Sequence, residues 1–77
     1  MKRFVKVKIT WNTDGTIIPE RIFWDTYRSY PIDAVTDVRL CESEEFEREM
    51  RYTCLIWGKK KTLFFNGKRW YVISDNA

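Results

Sequence analysis

The side chains in this sequence that can do chemistry are few, and what is missing narrows the field first. There is no histidine, which removes the commonest general base and the commonest metal ligand. The two cysteines, Cys41 and Cys54, form no CxxC pair, so a zinc site would have to be completed by carboxylates alone. No glycine-rich phosphate loop and no G-x-S-x-G elbow is present. Glu44 and Glu45 are adjacent carboxylates, but nothing around them in the sequence would bury them, so no cause raises either into the range of a general acid. No catalytic residue, metal, cofactor or small-molecule substrate is expected. The chain reads as non-enzymatic.

What remains is basic and aromatic. Lys59, Lys60 and Lys61 lie on one arm of a hairpin and Lys68 and Arg69 on the other, near opposite ends of its strands. Lys6 and Lys8 would extend that patch if the first and last strands were neighbours. Trp57 and Tyr71 supply rings nearby, and a basic groove with stacking rings is how small barrels hold single-stranded nucleic acid. The plainer reading is that turn lysines keep the protein soluble and strand edges unpaired. Nucleic-acid binding would require Lys6, Lys8, Lys59–Lys61, Lys68 and Arg69 to share one face, with Glu42–Glu49 on the other.

A second reading is an interaction module. Trp11, Trp24, Trp57 and Trp70 are too many large rings for one small core, and aromatic residues are enriched in interface cores. The acidic segment Glu42–Glu49 would then meet a basic partner, or the basic face of a second copy in a homodimer. This reading asks for an exposed aromatic patch or an unpaired edge strand. A protein-interaction or self-associating domain is the preferred expectation, with a nucleic-acid-binding barrel as the alternative.

These residues must be positioned by strands. From Val5 onward the first segment alternates, with Val5, Val7, Ile9 and Trp11 on one face and Lys6, Lys8 and Thr10 on the other, the pattern of a half-buried strand. Phe4 falls on the lysine side. Asn12-Thr13-Asp14-Gly15 is a turn. Pro19, unable to donate to a ladder, marks a strand edge or start, and Glu20–Trp24 is a short second strand. A third runs from Tyr30 to Cys41, its apolar spacing slipping near Asp33-Ala34 as at a β-bulge. Asp37 and Arg39 form a surface pair on it. The segment Glu42–Glu49 is expected to be a solvated loop.

Met50–Trp57, Lys60–Phe65 and Lys68–Ser74 complete a meander. Asn66-Gly67 between apolar runs is a strong hairpin signal for a type I′ turn. Trp70 and Cys54 are core positions, the latter a small hydrophobe. Cys41 is expected to be its reduced cross-strand neighbour. Six short strands predict an all-β fold, a small antiparallel meander closed into an SH3-like barrel or half-open roll.

The chain has 77 residues, enough for one domain. Its net charge of +3 hides an uneven distribution. Residues 31–50 hold seven acids against Arg39 and Arg48, whereas both ends are basic, giving a surface dipole. No apolar run reaches the ~20 residues of a spanning helix, and the start lacks a signal-peptide core. A cytoplasmic protein without membrane contact is expected.

The spacing P-x3-F-W-x5-Y-P-I-x2-V-x-D-V-R, followed by R-Y-T-C-L-I and L-F-F-N-G-x2-W-Y-V, is carried here by Pro19, Phe23, Trp24, Tyr30, Ile32, Val35, Asp37, Arg39, Arg51, Tyr52, Leu63, Phe64, Gly67 and Trp70. Over residues 17–74 it resembles a group of short, uncharacterised bacterial all-β proteins and domains. The resemblance implies a fold and no activity, because the matching residues sit at strand and turn positions.

Overall fold

Alternation of apolar and basic side chains from Val5 onward marks the strand β1, which spans Lys2–Trp11, with Val5, Val7 and Ile9 half-buried and Lys6 and Lys8 exposed. In the computed structural model, which describes residues 2–42 and 49–73, it is followed by β2 (Ile17–Phe23), β3 (Ser29–Pro31), β4 (Ala34–Cys41), β5 (Glu49–Ile56), β6 (Lys59–Phe65) and β7 (Trp70–Ile73). All are antiparallel in one sheet of order β3-β2-β1-β7-β6-β5-β4, curled into a half-barrel. The first and last strands are indeed neighbours. β1 bends the sheet by dividing its partners: Lys2–Val5 pair with β7, and Lys6–Trp11 pair with β2.

The expected six strands are seven because the third is two. Ile32 N–H donates to the Glu20 carbonyl at 2.8 Å, and the next amide, Asp33 N–H, donates to the Leu55 carbonyl at 2.8 Å. Consecutive residues thus bond to β2, near one end of the sheet, and β5, near the other. This corner interrupts the alternation at Ile32–Asp33, and a separate bulge lies between Val35 and Asp37. Another irregularity, between Lys8 and Ile9, sets Ile9 opposite Pro19. Pro19 is tolerated inside β2 because β3 pairs only with Arg21–Phe23 and asks nothing of the prolyl nitrogen.

The concave face carries the core: Ile22, Tyr52, Cys54, Leu63 and Trp70, with Val5, Val7, Ile9, Ile32, Val35, Ile56, Phe65 and Val72 packed against them. Burying one side chain such as Leu63 contributes about 1.5–3 kcal/mol. Burial pushes the Cys54 thiol up to about 11, and the Tyr52 hydroxyl also upward through the same desolvation, reinforced by Cys54. Both cysteines are free, but they are not cross-strand neighbours: Cys41 sits opposite Glu49, and Cys54 lies between Val35 and Lys61.

The convex face holds a second aromatic group. Tyr71 stacks on Phe64 (5.0 Å between centroids) and meets Phe4 edge-on at 5.8 Å. Its hydroxyl donates to the buried Glu49 carboxylate at 2.7 Å, so this acid belongs to a strand rather than to the preceding acidic stretch. Residues 43–48 of that expected loop lie outside the described residues.

The turns exchange roles. Trp57 and Gly58 have φ of 53° and 74° between the paired residues Ile56 and Lys59, the signature of a two-residue type I′ turn. Between Phe65 and Trp70, only Gly67 has positive φ, at 95°. There the Asn66 side-chain oxygen accepts the amides of Lys68 and Arg69 at 3.0 and 2.8 Å. Asn66-Gly67 is therefore an Asx-closed loop, which delays β7 to Trp70.

Candidate functional site: a cationic cleft between diverging strands

β6 is paired with β5 along its full length, Lys59 to Phe65. With β7 it pairs only through Phe64–Tyr71 and Phe65–Trp70. Beyond those pairs β7 follows β1, through Val72–Arg3 and Ile73–Lys2, and leaves β6. The strands part because their bonds compete: stacked rings hold the Phe64–Phe65 end together, with Phe65 on Trp70 at 4.5 Å, whereas Lys59–Lys61 offer no apolar surface to close against. Backbone groups on that side of Lys59–Thr62 have no strand partner among the described residues.

The gap is an open cleft of about 950 Å³. Its floor is apolar, from Ile22, Ile56, Val72 and Ile73. The β2–β3 turn supplies Trp24 and Arg28, and β3 supplies Tyr30, as the facing wall, and Trp57 closes one end. Arg28, Arg51, Lys59, Lys60 and Lys61 line it, and among the described residues no Asp or Glu does. Arg28 is neutralised locally by Asp25 at 2.6 Å, and that guanidinium, with the Tyr27 amide, holds the Asp25 carboxyl below the usual carboxylate range. The three lysines carry no ion pair among the described residues. Arg51 has none among them either, so the uncompensated charge of the cleft is that of Arg51 and the three lysines.

Trp57 is built into this mouth at some cost. A bulky residue with left-handed backbone is an outlier, disfavoured by roughly 1–2 kcal/mol. It is held there by its N–H donating to the Asp33 carboxylate at 3.2 Å and by an edge-on contact with Tyr30 at 5.4 Å. Even so, 71% of its surface is exposed. Strained, exposed aromatic residues of this kind concentrate at binding sites.

The expected basic set divides. Trp57, Lys59, Lys60 and Lys61 meet in the cleft. Lys6, Lys68 and Arg69 meet instead in a shallower groove of about 640 Å³ with Phe4 and Trp70, and Arg69 is spent over the Phe4 ring at 3.7 Å. Lys8 is exposed further along β1, opposite Arg21. Lys59 and Lys61 share the side of Leu63, whereas Lys60 faces the other way, so these residues do not make one patch. Tyr71 is only 3% exposed and engaged with Phe64, Phe4 and Glu49, so it offers no ring to a base. Trp24, Arg28, Tyr30, Val72 and Ile73 were not expected at the site. Aromatic residues at both feet of the Asp25–Arg28 turn were the available signal.

No family model, no curated protein and no solved structure matches this chain. Among the described residues there is no cluster of three metal-ligating side chains and no helix long and apolar enough to cross a membrane.

Proposed function

We propose that this protein is a non-enzymatic interaction module whose cleft receives an extended, acidic segment of a partner protein as an added strand beside β6. One observation carries the reading: among the described residues, a stretch of strand backbone without a strand partner lies in a cleft whose uncompensated charge is entirely cationic. Strand addition satisfies backbone N–H and C=O groups, and alternate side chains then read the walls. Side chains on one face of the incoming strand, the acidic ones, would meet Lys59 and Lys61, and the alternate, apolar ones would lie on the other face beside Lys60, Thr62 and Ile73. The segment would bury the exposed Trp57 ring, and large aromatic residues dominate interface energetics. Kinship with short bacterial all-β proteins, an SH3-like closure and a cytoplasmic setting belong to the same proposal.

A second reading keeps single-stranded nucleic acid in the same cleft. It is favoured by Trp57 and Tyr30 standing beside the lysines, since ring stacking and phosphate contacts are what such strands use. It leaves the unpaired β6 backbone unexplained, because a nucleotide chain does not match the strand repeat. The two are separated by fluorescence anisotropy with a labelled short peptide of alternating glutamate and valine, and with a short labelled oligothymidylate, at low and moderate salt. Peptide binding that falls at least about tenfold in K59E/K61E supports strand addition. Oligonucleotide binding with a steep salt dependence, and none of the peptide, supports the second reading. Silence from both probes at low salt removes both.

A further inference from the structure

The two outer edges of the sheet are treated differently. β3 is three residues long and contains Pro31, a blunted edge of the usual protective kind. β4 is eight residues long and pairs on one side only, with β5. Along its free side, among the described residues, no strand follows. Val38 and Leu40 stay 47% and 56% exposed although they pair with Tyr52 and Met50 on the concave face. That is an edge that invites a strand.

We infer that β4 is a self-recognition edge that pairs antiparallel with β4 of a second copy about a twofold axis at Val38. The occupant is fixed by charge. Asp37 and Arg39 sit on the same face, opposite Thr53 and Arg51, and flank Val38 on either side. Antiparallel pairing centred on Val38 places Asp37 of each copy opposite Arg39 of the other, twice. Centring on Asp37 or on Arg39 would set like charges directly opposite, which destabilises a strand pair. The same register brings the two Val38 side chains together. An isologous contact of this kind closes after two copies and does not propagate into fibres.

In the single chain these charges pair with each other, Arg39 Nε donating to Asp37 at 2.7 Å, with side chains 66% and 46% exposed. A pair so open contributes little by itself. Charged edge residues normally repel other strands. Opposite signs two positions apart do so for most sequences but accept their own antiparallel copy. Buried Glu49 neighbours Arg51 and Cys41 on the same sheet face and lies outside the proposed register.

The test is sedimentation velocity of the full chain over a wide concentration range. The wild type is expected to form a reversible dimer, weakened at least roughly tenfold in D37R and in R39D, each of which then presents like charges across the axis. Mixing D37R with R39D is expected to restore a dimer, now of one chain of each kind. That restoration excludes loss of folding as the cause, and circular dichroism of each variant checks it separately. A wild type that stays monomeric throughout, a dimer indifferent to both substitutions, or a mixture that fails to reassociate overturns the inference. Peptide binding at the cleft is independent of these variants.

Discussion

The two halves of β6 share one partner strand and differ in everything else. At Phe64 and Phe65 the strand is closed on both sides, because rings from β7 stack on it. From Lys59 to Thr62 the same strand keeps β5 and has lost β7. Cys54, opposite Lys61, is fully buried, so the open half is sealed beneath and bare only along its edge. Aromatic stacking stabilises by about 0.5–1.5 kcal/mol beyond burial. Lysine ammonium groups contribute nothing comparable. Side-chain chemistry, rather than backbone geometry, decides where this sheet stays zipped.

The largest expected effect separates the two tryptophans at the ends of this contrast. Trp70→Ala removes the ring that Phe65 and Tyr52 pack on and is expected to cost about 3–5 kcal/mol, enough to unfold much of a domain this size. Trp57→Ala is expected to change stability by less than about 0.5 kcal/mol through lost contacts. Urea unfolding of both variants measures the difference, and equal losses would break the comparison.

A pH effect probes the seal beneath the open half. The Cys54 thiol has its ordinary value of 9.0 when unfolded and about 11 when folded, because burial disfavours the thiolate. Its stabilising contribution is therefore complete below pH 9 and is lost as pH rises through about 11. Unfolding free energies of wild type and Cys54→Ala, followed over this interval, should fall more steeply in the wild type. Parallel slopes would mean that water reaches the thiol.

The smallest expected effect is a gain. Trp57→Asn keeps the type I′ turn with a residue that tolerates left-handed backbone, and should stabilise the fold by up to about 1 kcal/mol. The same variant should bind the acidic peptide more weakly. Stabilisation without loss of binding would leave the strained tryptophan without a role.

Much of this fold was legible in the sequence. The Val5-Val7-Ile9 alternation set β1 and its face. The core placements of Trp70 and Cys54, and the Asp37–Arg39 surface pair, followed from the period-two reading. The corner at Ile32–Asp33 was not legible as a change of partner, because slipped alternation signals a bulge and a corner alike. Asn66-Gly67 misled through statistics that favour it at a type I′ turn, when its side chain instead closes a longer loop. Trp57-Gly58 was legible as the break between two strands but not as the type I′ turn it bears, because tryptophan rarely adopts that backbone. The cleft itself was invisible: it arises where β7 exchanges one neighbour for another, and only the pairing register records that. The lysines were seen, but period-two geometry divides them between faces and ends.

The measurement that tests the cleft most directly is backbone amide hydrogen exchange by NMR, with and without the alternating glutamate–valine peptide. Strand addition predicts new protection at the amides of Lys60 and Thr62, which point away from β5, with those of Lys59, Lys61, Phe64 and Phe65 unchanged because they are already paired. Peptide binding that shifts the Trp57 ring signals but leaves every amide from Lys59 to Thr62 exchanging as before would contradict it.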